Sequence, residues 1–181
     1  WANMQRPFIE NLRELGYDPD SIDTVLCTHL HVDHVGWNTR KVAGKWVPTF
    51  KNARYVLVES EFNFWRDTPD DFGPVFQESV QPVFDAGLVD LVKPDHQVGS
   101  GVWFEPTPGH MPGHVSVHIS SKGEEAIITG DMMHHPCQMD RLDWCSPADY
   151  DSAEARSTRE SILARAVDDG VLVIGTHFAA P

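Results

Sequence analysis

The stretch Thr28–Asn38, THLHVDHVGWN, sets three histidines and an aspartate within six residues, directly after the apolar run Val25-Leu26-Cys27. Either this is a metal site or it is a polar surface loop rich in histidine. Spacing limits the geometry. A helix brings i and i+4 onto one face, as in zinc sites of the H-E-x-x-H type, whereas His29 and His31, two apart, share a side only on extended backbone. Asp33 and His34 are consecutive and diverge. An extended pair followed by a turning pair can feed two neighbouring points, His29 with His31 at one metal and Asp33 with His34 at a second. Neither pair completes a metal's coordination, so further ligands must come from elsewhere in the chain.

Candidates stand where strands end. TPGHMPGH places His110 in a Gly/Pro turn after VWFEP, AIITGD delivers Asp131 after Ala126-Ile127-Ile128, and VLVIGTH delivers His177 after Val171 to Ile174. These strands read as apolar enough to be covered on both faces, and α/β sheets gather their sites at strand ends. Apolar periodicity predicts a helix from Pro7 to Leu15, with Phe8, Leu12 and Leu15 on one face and Gly16 as its stop. It predicts others at 60–67 with Ser60 as N-cap, at 75–87 despite Pro82, and at 151–169 with Ile162, Leu163 and Ala166 buried and Gly170 as stop. Strands are expected at SIDTVLCT, ARYVLVE, VWFEPT, HVSVHIS, EAIITG and VLVIGTH; 38–52 reads as a loop or ragged hairpin broken by Gly44 and Pro48, and 67–74 as turns. Several consecutive strands in the middle of the chain favour an α/β architecture with mixed sheets over a doubly wound parallel one.

In their order these motifs resemble those of the metallo-β-lactamase superfamily. HLHVDH is similar to its H-x-H-x-D-H signature, and TPGHMPGH, TGD and GTH are similar to its later metal motifs. The resemblance implies an αββα sandwich, two mixed sheets flanked by helices, with the site along one edge where the sheets meet. It implies that His29, His31 and His110 hold a first metal, that Asp33, His34 and His177 hold a second, and that Asp131 bridges them. Two divalent ions are expected, zinc first, with manganese, iron and cobalt accepting similar donors. Residues 1–181 are expected to be a single domain of this kind cut short at both ends, since the chain opens on Trp1 and stops at Pro181 soon after His177.

Variations within the motifs narrow the implied chemistry. Superfamily members that cleave β-lactams usually carry cysteine where this chain has Asp131, and flavodiiron-type members carry glutamate where it has His31. Known N-acyl-homoserine lactonases often have a tyrosine three residues after the bridging aspartate; here that position is His134, as in organophosphate-hydrolase and arylesterase-like members. The resemblance therefore implies a hydrolase of ester or lactone bonds, with phosphotriesters as a further class, working through a metal-bridging hydroxide. In that scheme Asp131 holds the metals together, Asp33 orients the hydroxide and carries its proton, and His134 faces substrate. The alternatives are a thioesterase similar to hydroxyacylglutathione hydrolases (glyoxalase II) and a mononuclear iron sulfur dioxygenase. A purely structural metal site is disfavoured, because such sites are closed four-coordinate cages.

Charge bears on the partner. The net charge is −13, from 27 acids against 14 bases with no basic stripe, which disfavours nucleic acid and suits a small substrate that is neutral or apolar. Trp37, Trp46, Phe64, Trp65 and Phe178 are candidates to line its pocket. His114 and His118 read as strand or ligand-supporting residues, and His96 as a solvated one. No apolar run reaches the roughly 18 residues of a membrane span. Cys27 reads as a small core residue; with Cys137 and Cys145 it gives no disulfide framework, which makes a reducing, cytoplasmic compartment the default. A homodimer stays open.

Overall fold

The computed structural model describes residues 6–68 and 73–178. These group into two compact units, one within 1–57 and 65–91, the other within 58–64 and 92–181.

The first unit begins with α1 (Phe8–Glu14), after which Gly16 sits at φ +89°. Ile9 is buried and Leu12 packs on the core, while Phe8 and Leu15 face out. The predicted stripe is thus corrected to Ile9 and Leu12, because a two-turn helix has room to bury one i, i+3 pair. β1 (Thr24–Leu26) leads through buried Cys27 into the histidine-rich turn and the single-turn α2 (Val32–Val35). β2 (Thr39–Val42) and β3 (Lys45–Pro48) form an antiparallel hairpin over Ala43 and Gly44, both at positive φ. That is the twist a two-residue hairpin turn needs, so Gly44 makes the hairpin and does not break it. β4 (Arg54–Val58) pairs in parallel with β1, and a three-stranded sheet is completed by β5 (Val89–Val92), a short strand the pattern missed. Phe50, Ala53, Tyr55 and Val83 form one core cluster of this unit.

α3 (Glu59–Asp67) follows β4 directly, with Ser60 already inside its first turn, so Ser60 is not the predicted cap. The predicted turns at 67–74 fall partly on 69–72, outside the described residues. Pro82 is accommodated because a π-turn at Phe76–Val80 ends there and α4 (Gln81–Asp85) restarts, placing Pro82 in a first turn where its missing N–H is not needed.

Cys27 supplies a test of this unit's packing. Burial pushes its thiol up to about 11, only partly offset by the Asn38 side chain. At pH 8 a disulfide reagent should therefore label exposed Cys145 and half-buried Cys137 and reach Cys27 only under denaturant. Prompt native-state labelling of all three thiols would contradict the packing.

The second unit is built on a five-stranded sheet. β6 (Gln97–Gly99), β7 (Val102–Pro106), β8 (Val115–Ser121) and β9 (Glu124–Ile128) pair antiparallel in succession. After the short α5 (Cys137–Asp140), the crossover helix α6 (Ser152–Asp169) returns the chain to β10 (Leu172–Ile174), which lies parallel to β9 and makes the sheet mixed, as expected. Asp151 caps α6 by accepting from the N–H groups of Ala153 and Glu154, both at 3.0 Å, and Gly170 ends it in the left-handed region. Ile162 and Leu163 of α6 pack with Ile127, Met132 and Met133. β10 departs from expectation: Leu172 is 62% and Ile174 41% exposed, because they share the face opposite Val173, which packs on the core. Among the described residues no helix is long and apolar enough to cross a membrane.

Candidate metal centre

In the first unit the backbone takes the two-part course read from the spacing. His31 is extended at φ −65°, ψ 157°, and the chain then turns into α2, which carries Asp33 and His34. The three imidazoles gather. His29 Nε2 lies 3.0 Å from His31 Nδ1, the His29 and His34 ring centroids are 4.1 Å apart, and Asp33 Oδ2 lies 3.7 Å from His34 Nε2. Thr28 Oγ1, 3.1 Å from His29 Nδ1, engages the ring's other nitrogen and leaves Nε2 facing the cluster. A polar surface loop would leave these rings in water, yet His29 is 1% exposed.

In the second unit the expected residues meet at one carboxylate. Asp131 sits in a short 3-10 turn just after β9, and its Oδ2 is 3.6 Å from His110 Nε2, 3.3 Å from His134 Nε2 and 3.2 Å from His177 Nε2. His134 and His177 stack with centroids 5.6 Å apart, and His134 presents its edge to His110 at 4.9 Å. His134 Nδ1 is buried and has no hydrogen-bond partner among the described residues.

The supporting residues explain why the turn holds its shape. Asp131 N–H donates to His114 Nε2 at 3.0 Å, so His114 Nδ1 carries the proton and donates to the Thr107 carbonyl at 3.0 Å. Both nitrogens of His114 are thereby used, which makes it a brace for Asp131 and not a ligand. His118 is held within the sheet, stacked on Trp103 and paired with Glu105. Gln138 accepts from the N–H groups of His134 and His135 at 2.7 and 3.3 Å and fixes the loop after Asp131.

Asp149 is the main residue the sequence reading missed. Its Oδ1 is 3.2 Å from His110 Nδ1, and its Oδ2 accepts from Ser146 N–H at 2.9 Å. Arg159, fully buried on α6, lies 3.7 Å from the same carboxylate. Burial by itself raises the Asp149 pKa, but the hydrogen bonds from His110 and Ser146 and the charges of His110 and Arg159 outweigh it and hold the carboxyl below the usual range. Nothing in SPADYDS marks this aspartate, since its partners stand 39 and 10 residues away.

The aromatics divide. Trp65 meets His31 edge-on at 5.2 Å and Phe64 meets Tyr150 at 5.5 Å, whereas Phe178 packs on the second unit's core, Trp46 lies under Lys41, and Trp37 rests on Phe8.

As a donor set, imidazole nitrogens around a buried carboxylate fit a divalent cation of the zinc type. His110, His134 and Asp149 each offer a ligand atom within 4.8 Å of one another.

Comparison with known proteins agrees with this donor chemistry. The sequence model of the metallo-beta-lactamase superfamily matches residues 1–177. An N-acyl homoserine lactonase of Bacillus thuringiensis is 26% identical over 117 residues, which cover 65% of this chain and 40% of the lactonase. Among solved structures, the hydrolase AbOPH of the beta lactamase superfamily superposes with TM-score 0.83 at 29% identity, covering 94% of this chain and 62% of that one. AidC, a dizinc quorum-quenching lactonase, shares the fold with TM-score 0.79 at 21% identity, over 99% of this chain and 66% of its own. The chain thus spans about two fifths of the length of the curated lactonase it matches.

Proposed function

Because the chain belongs to the metallo-beta-lactamase superfamily, we propose that it is a dinuclear metal-dependent hydrolase that opens lactone or ester bonds in small, neutral or apolar substrates. The observation that carries the reading is Asp131 ringed by the Nε2 atoms of His110, His134 and His177. The proposed ligands are His29, His31, Asp33, His34, His110, Asp131 and His177, following the motif order of the family, with zinc as the first metal. When bound, two such ions supply Lewis acidity toward the scissile carbonyl and lower the pKa of water towards about 7.

The chain's own residues supply the rest. Asp33, with its side chain 27% exposed, is both near the ligands and open to water, the position from which a carboxylate can take a proton and pass it to the leaving oxygen. Thr28 and His114 keep His29 and Asp131 in orientation through hydrogen bonds to the atoms that face away from the cluster. His134, whose side chain is 25% exposed beside Asp131, is the residue placed to face a substrate. The relatives named as lactonases make an N-acyl homoserine lactone the first substrate to try.

The test joins metal analysis to a panel of a lactone, an aryl ester, S-lactoylglutathione and a phosphotriester. Two zinc ions per chain with lactone or ester turnover is the expected result. Turnover of the thioester alone would move the protein to the thioesterases, and one iron with thiol-dependent oxygen uptake would make it a dioxygenase.

A further inference from the structure

We infer that Asp149, clamped by Arg159, is a positioning residue that fixes the ring and tautomer of His110 so that Nε2 is presented as a metal ligand. The inference rests on the metal-site reading of His110 above.

His110 has two ring nitrogens and two carboxylates near them. Nδ1 is 3.2 Å from Asp149 Oδ1, and Nε2 is 3.6 Å from Asp131 Oδ2. An acceptor-only carboxylate at Nδ1 selects the tautomer with its proton there and puts the lone pair on Nε2, the nitrogen that faces Asp131. The backbone adds a second hold, since Tyr150 N–H donates to the His110 carbonyl at 3.0 Å and Asp151 N–H to that of Gly109 at 2.9 Å. The segment bearing Asp149 is therefore tied to the turn bearing His110.

Arg159 makes the clamp rigid. Its guanidinium is 0% exposed, as is the Asp149 side chain. Besides pairing with Asp149 it donates to the carbonyls of Met132 at 3.3 Å and Leu142 at 3.4 Å and to Cys145 Sγ at 3.2 Å. Met132 directly follows Asp131, so this one side chain of α6 braces both the carboxylate that orients His110 and the turn that carries Asp131. A buried arginine serving packing alone would not need its charged partner to be the acceptor of a candidate ligand. Carboxylates that hold ligand histidines in this way typically change metal affinity by about 10–100-fold when removed.

The test measures zinc affinity of the full chain by competition with a chromophoric chelator, and the His110 tautomer by nitrogen NMR of the metal-free protein. Wild type should show Nδ1 protonated. Asp149→Ala should weaken zinc binding about 10–100-fold and mix the tautomers. That variant also strands a buried guanidinium, which by itself destabilises the fold, so the double variant Asp149→Ala/Arg159→Met is the decisive one: it should regain thermal stability while zinc affinity stays low. Recovery of affinity together with stability, or wild-type affinity in Asp149→Ala, would overturn the inference. His110→Ala serves as reference. If it binds zinc as wild type does, the metal-site reading itself fails; if it loses zinc while Asp149→Ala does not, only the role of Asp149 fails.

Discussion

Asp131→Ala is expected to leave a folded chain that binds less metal and turns over lactone at least about 10³-fold more slowly, the rate equivalent of several kcal/mol of lost charge stabilisation. The carboxylate is the common neighbour of His110, His134 and His177, so its removal takes away an anionic donor that all three imidazoles share. The turn itself should survive, because the brace from His114 engages the backbone N–H of residue 131 and not the side chain. Metal content by elemental analysis and kcat/KM on the same preparation separate loss of metal from loss of fold. Asp131→Asn, which keeps the shape but not the charge, should fall between. Turnover by the alanine variant within tenfold of wild type would remove Asp131 from the centre.

Gly109→Ala should be the most destabilising single-methyl change in the second unit. Gly109 has φ +122°, a conformation nearly closed to other residues, and an added Cβ would land on the N and Cα of Ala155, 2.8 Å from its side chain. Backbone strain of about 1–3 kcal/mol and overlap of about 1–3 kcal/mol together suggest roughly 4 kcal/mol. For a chain of this size that lowers the melting temperature by on the order of 10 °C. Ala155 lies in the first turn of α6, so the helix must shift or the turn holding His110 must open. A drop below about 3 °C in a thermal scan would show that this close approach is not needed.

Much of this was legible in residue order. HLHVDH could be read because i, i+2 spacing and a following turn dictate geometry without tertiary information, and the apolar runs before His110, Asp131 and His177 located β7, β9 and β10. α6 was legible from end to end because Gly170 and the Ile162–Ala166 stripe are local signals. β5 and β6 were not, since VDLV and QVG carry too little apolar pattern over three or four residues. The exposure of β10 is illegible for a different reason: an apolar run covered on one face and an apolar run covered on both have the same sequence pattern. Asp149 and Arg159 escaped because a clamp closed across distant turns has no period. His134 was visible only as a departure from a family habit, while its stacking on His177 is set by tertiary structure.

Asp131 and His177 stand 46 residues apart, yet they touch because β9 and β10 lie side by side. The sheet's hydrogen-bond ladder is therefore the ruler that sets their separation. Slipping β10 by one step would carry His177 about 3.3 Å along the ladder and turn alternate side chains to the opposite face. Lineages descended from this chain can lengthen its surface turns freely, but an inserted or deleted residue between Leu172 and His177 should be among the rarest changes they tolerate.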